Sequence, residues 1–220
     1  MNLVAYLGLV GLLVAGPLLV LTLSWRWRVA ALAAQYVCVA VLLTQIAIWQ
    51  VAVVRLIVGA GIVGILALTG RDVTGTFPWN RRPAPPTGGP VTPLSVLTAL
   101  WKTQFSADFP FRLVAVAMAI VAAASLAGQP NPLLLDLPPV PKMAGYLLCG
   151  LGLISLGLSE EPLRAGLSLL TLLSGFELLY VAVESSLAIV ALLAVVDFAV
   201  ALAVSYLALV NVPARKEPPA

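Results

Sequence analysis

The chain reads as an all-α integral membrane protein with about seven transmembrane helices and one amphipathic helix at the cytoplasmic interface. Three observations predict this. Hydrophobic residues fill 61% of the 220 positions and charged residues 10%, and the mean hydropathy is +1.07, more apolar mass than one soluble core could hide. The apolar residues gather into runs of about 20, the length that crosses a hydrocarbon core of roughly 30 Å at 1.5 Å per residue. Lys and Arg fall mainly in alternate intervals between those runs, as cytoplasmic loops require.

In order, the spans are expected at residues 3–23, 29–49, 51–69, 111–128, 143–158, 163–183 and 187–210. The first lacks a basic segment in front and a small-residue cleavage site behind, so it is expected to stay as a membrane helix and not leave as a signal peptide. The turns near 45–50 and 184–186 are very short. Residues 70–93 are too rich in Pro and Gly for regular structure and read as an extended cytoplasmic loop. Thr92 and Pro93 then make a helix start, and Leu94, Leu97, Trp101 and Phe105 recur at helical spacing opposite Ser95, Lys102 and Asp108. That pattern predicts a surface helix over 94–107. The proline-rich stretch 129–141 divides the chain into a front four-helix part, residues 1–128, and a three-helix unit, residues 143–212. Residues 213–220 are polar and Pro-rich and read as a flexible tail.

Arg26 and Arg28 follow the first span, Arg71, Arg81, Arg82 and Lys102 the third, Arg164 the fifth, and Arg215 and Lys216 the last. This puts the N-terminus outside and the C-terminus in the cytoplasm, in the cell (inner, cytoplasmic) membrane. Twelve basic and nine acidic residues give a formal charge of +3. Because the basic residues sit where they orient membrane helices, a nucleic-acid surface is not expected. The chain has no histidine, which rules out histidine-ligated haem and histidine-based catalysis. Cys38 and Cys149 lie inside apolar runs and read as packing residues without metal-ligand spacing. No catalytic residue, cofactor or metal site is expected.

Two acids break the apolar pattern, Glu177 in the sixth span and Asp197 in the seventh. An ionised carboxyl near mid-membrane costs about 2.5–3.5 kcal/mol on insertion scales, so it asks for a partner, a water-filled cavity or a proton. Glu177 lies thirteen residues beyond Arg164, about 20 Å along a helix, and Asp197 lies near the midplane. Glu184 follows Glu177 by seven residues, on the same helical face, so the three acids could line one route from the midplane to the outer surface. Two readings stand for these acids: groups that take up and release protons, or buried groups that lock the packing or bind a cation. Arg55, in the third span, is either their counter-charge or a side chain that snorkels to the outer interface. Arg164 is the other candidate counter-charge.

The stretch 143–210, with its Glu160-Glu161-Pro-Leu-Arg164 turn, Ser174-Gly-Phe-Glu177-Leu-Leu and Ala194-Val-Val-Asp197-Phe-Ala, resembles the three-helix K subunit of complex I (NuoK-like). In length and in its extra front spans the chain is more similar to component E of the hydrogenase-four type. That family also has a front helix starting from an Arg-bearing turn and carrying a Gln, much like Arg28-Val-Ala-Ala-Leu-Ala-Ala-Gln35. The resemblance implies proton-handling roles for Glu177 and Asp197. It also implies a non-catalytic membrane subunit without cofactors, and as partners the other membrane subunits, including antiporter-like ones, of a respiratory or hydrogenase complex.

Overall fold

A computed structural model describes residues 3–22, 24–46, 49–74, 109–130, 138–159, 161–184 and 186–210. Among them are seven α-helices and no strand: α1 (Leu3–Leu21), α2 (Trp25–Leu43), α3 (Trp49–Thr74), α4 (Phe109–Ala127), α5 (Pro139–Gly157), α6 (Pro162–Val183) and α7 (Leu187–Val210). All seven contain a stretch long and apolar enough to cross a bilayer, which suggests a multi-pass membrane protein. The expected surface helix 94–107, most of the loop 70–93 and the tail 213–220 lie outside the described residues.

Several boundaries differ from the hydropathy reading, each for a local reason. α2 starts at Trp25 and not at 29, taking Arg26 and Arg28 into its first turn. It ends at Leu43, where Gln45 and Ile46 donate to Leu42 and Leu43 in short three-residue bonds and the Thr44 hydroxyl donates to Val41. The tightened turn ends the helix although apolar residues continue, so Trp49 begins α3 instead of ending α2. α3 runs on through Arg71 to Thr74, so the loop expected from 70 starts later. α5 begins at Pro139, inside the stretch expected to be a break, because prolines are tolerated in a first helical turn, whose N–H groups lack partners anyway.

The helices pack chiefly as α5 on α6, α1 on α2, α4 on α5, α2 on α3, α3 on α7 and α6 on α7. The α5–α6 seam is set by glycine: a Cβ on Gly152 would lie 2.6 Å from the Leu172 backbone N, and one on Gly175 would lie 2.6 Å from that of Cys149. Small residues allow such approach where no hydrophobic drive brings helices together in lipid. Cys38 and Cys149 are both free thiols.

Each of the three apolar cores draws on helices from both sides of the 129–141 stretch. One joins Leu12, Leu42, Val51, Leu148, Leu178 and Val190, a second joins Leu32, Ile62, Leu66, Leu167 and Ala201, and a third joins Val20, Ala119 and Leu151. At the end of the bundle where α1 stops, Arg28 Nε donates to the Thr22 carbonyl at 2.5 Å and Arg112 Nη1 to that of Val20 at 3.4 Å. These arginines answer carbonyls that the end of α1 leaves unpaired, and their charge suits its dipole. Arg164 and Glu161 lie within electrostatic reach of Arg28, so this is the basic end of the bundle.

Candidate functional site

The three charges that the sequence places inside the spans meet at one point. Arg55 lies six residues into α3, Glu177 six residues before the end of α6, and Asp197 ten residues into α7. These offsets put all three about 9–15 Å from the end opposite the basic one. They are 1%, 2% and 2% exposed, so Arg55 does not snorkel to an interface. Its Nη1 donates to Asp197 Oδ2 and forms an ion pair with Glu177 Oε2 at 2.5 Å. Its Nη2 donates to Ser174 Oγ at 2.8 Å, and Ser174 in turn donates to the Leu170 carbonyl.

The flat side of the guanidinium is held as well. Arg55 Cζ lies 4.8 Å from the centroid of the Tyr36 ring, a cation–π contact. Gly59, one turn along α3 from Arg55, makes room for it: a Cβ there would come within 2.8 Å of Tyr36 Cγ. The α2 ring therefore reaches the arginine because α3 is bare at that turn.

Charge and hydrogen bonding do not balance within the cluster. One guanidinium faces two carboxyls, which sums to −1 if both acids are ionised. Arg55 Nε and Glu177 Oε1 are buried without a hydrogen-bond partner among the described residues, while Glu177 Oε2 is met by the Arg55 ion pair. Gln35 Oε1 lies 3.4 Å from Thr171 Oγ1, whose proton goes to the Leu167 carbonyl at 2.9 Å, and Gln35 Nε2 is buried without a hydrogen-bond partner among the described residues. Buried polar atoms in folded proteins are almost always satisfied, by protein or by ordered water.

The other candidate residues fall elsewhere. Arg164 pairs with Glu161 (Nε to Oε2, 2.9 Å) at the basic end, about 20 Å from Glu177 along α6, so the counter-charge is Arg55 and not Arg164. Glu184 is exposed at the end of α6, where the backbone turns extended. Between it and the cluster, Leu178 and Val181 of α6, Val51 and Ala52 of α3 and Val190 of α7 share an apolar core. The three acids thus do not form one continuous polar line.

Sequence reading did not single out Tyr36, Gly59, Ser168 or Thr171, and named Ser174 only within the Ser174-Gly-Phe-Glu177 stretch. One signal was legible: α6 carries Ser168, Thr171 and Ser174 at three-residue steps leading to Glu177. Compared with family models, with curated proteins and with solved structures, the chain matches none.

Proposed function

We propose that this chain is a proton-handling membrane subunit of a complex I-like or membrane-bound hydrogenase-type respiratory assembly, with Glu177 and Asp197 as the groups that take up and release the proton. One observation carries the reading: a single buried guanidinium stands between two buried carboxyls. In a low-dielectric interior a net charge is costly, and one proton shared by the two acids makes the group neutral. Transient loss of that proton leaves a charge whose energy depends on any field applied nearby, which is how electron transfer in other subunits would drive its movement. Arg55 holds the acids close enough for one proton to serve both and keeps either from being left without a counter-charge.

The cation-binding alternative is weaker on this geometry, because the position between the carboxylates where a cation would be held is taken by Arg55. A purely structural role fits the ion pairs but accounts less well for the second, uncompensated acid. The assembly is suggested by the resemblance of residues 143–210 and by the basic loops, which orient the N-terminus outside and the C-terminus in the cytoplasm of the cell membrane. Its partners are then other membrane subunits, antiporter-like ones among them.

Glu177→Gln and Asp197→Asn test the reading in native membrane vesicles. Each is expected to reduce respiration- or hydrogenase-linked proton pumping strongly while the chain still co-purifies with its partner subunits. Unchanged pumping with intact assembly, or a wild-type chain that purifies with no such partner, would sink the proposal.

A further inference from the structure

The geometry points to a water-filled hydroxyl ladder on α6 that feeds protons to the Arg55–Glu177–Asp197 cluster from the basic end of the bundle, not through Glu184. This rests on the proposed function and assigns its direction. Ser168, Thr171, Ser174 and Glu177 are all buried and stand three residues apart. Three residues are 300° of helix, so each step turns back by about 60° and the row winds half way round α6. The partners follow that winding. Ser168 Oγ lies 2.7 Å from Ser155 Oγ of α5 and 3.5 Å from Ser159 Oγ beyond the end of α5. One step on, Thr171 faces Gln35 of α2, and one more step brings Ser174 to Arg55 of α3.

Serine and threonine in helices often satisfy themselves on the carbonyl four residues back, and these three do so, at 2.8–2.9 Å. That accounts for their donors but not for the atoms around them. Gln35 Nε2, Arg55 Nε and Glu177 Oε1 are buried without a hydrogen-bond partner among the described residues. Neighbouring rungs at this spacing have Cβ atoms about 5–6 Å apart, and one water making two hydrogen bonds of about 2.8 Å reaches that far. One water in each gap would bridge the hydroxyl lone pairs on either side, and the amide of Gln35, whose Oε1 lies 3.4 Å from Thr171 Oγ1, would donate to the water beside Thr171. A proton moves along such a file without net chemistry: each oxygen accepts one proton on a lone pair and releases another to the next, and the last goes to a Glu177 oxygen.

In the opposite direction, among the described residues, Val51, Ala52, Leu178, Val181 and Val190 share an apolar core whose side chains can neither donate nor accept. The entrance would then lie at half-buried Ser159, two residues before Glu161 in the chain.

The test follows the infrared C=O band of the protonated carboxyl in the purified full-length chain, assigned by its loss or shift in Glu177→Gln and Asp197→Asn. The rate at which the band shifts after transfer into D2O reports proton access. Thr171→Val and Ser174→Ala each remove one hydroxyl, and each is expected to slow the shift by roughly tenfold to a hundredfold, up to the lower end of what positioned proton-transfer groups contribute. Thr171→Ser is expected to restore the rate, and Val181→Ala, on the apolar side, to leave it as in the wild type. A band that exchanges at the wild-type rate in both hydroxyl variants, or that responds to Val181→Ala as strongly, overturns the ladder while leaving the proton site in place. Absence of any carboxyl band altered by Glu177→Gln or Asp197→Asn overturns the proton site itself, and the ladder with it.

Discussion

Arg55 is shared between two acids, and that sharing makes their substitutions non-additive. Glu177→Gln replaces one carboxyl by a neutral group of nearly the same shape, which resembles the cluster with its proton bound. The single change, like Asp197→Asn, is expected to alter stability by no more than about 1 kcal/mol, because Arg55 keeps one carboxylate partner. The double variant leaves a buried guanidinium without any carboxylate and is expected to cost about 3–5 kcal/mol. A double-mutant cycle on thermal or denaturant unfolding in detergent measures this coupling, and simple additivity of the two singles would contradict it. The acids and the arginine were each legible in the sequence, since charges inside apolar runs stand out. Their meeting was not, because they lie on three helices and Arg55 is 122 and 142 positions from its partners.

The element scale is governed by close approach between helices. At the α5–α6 seam a Cβ on Gly152 would lie 2.6–2.8 Å from atoms of Leu172, two of them backbone that cannot swing aside. Gly152→Ala is therefore expected to destabilise the protein by about 1–3 kcal/mol, the usual range for overpacking. Gly64, within α3, has nothing within 4 Å of where its Cβ would stand. Gly64→Ala is accordingly expected to be neutral or to stabilise by up to about 1 kcal/mol through helix propensity. Melting curves of the two variants side by side check the contrast; equal losses would mean that the seam does not depend on glycine. Hydropathy located all seven helices yet misplaced several ends. Apolar residues run without a break from Ile46 into α3, so the end of α2 depends on hydrogen bonds at Thr44 to Ile46 that carry no hydropathy signal.

For the whole molecule, alternating helices place Arg26 and Arg164 at one end and Glu184 at the other. If the basic end is cytoplasmic, a thiol introduced at Glu184 should react with a membrane-impermeant maleimide added outside intact cells, and one at Arg26 should react only after the membrane is opened. The background for Glu184→Cys and Arg26→Cys needs Cys38→Ala and Cys149→Ala to remove the native thiols. The reverse labelling pattern would invert the orientation and, with it, the side from which the α6 ladder opens.

The sequence by itself determined the all-helical class, the number of membrane-length apolar helices among the described residues, and which charged residues stand inside them. Those properties follow from composition and run length, because the cost of leaving apolar or charged groups in the wrong solvent is local to each residue. Only the tertiary structure decided that Arg55 pairs with Glu177 and Asp197 while Arg164 pairs with Glu161, and that an apolar core separates Glu184 from the cluster. Pairing depends on which helix faces which, and that is set by packing detail such as Gly59 and Gly152. No one-dimensional pattern of polarity carries that information.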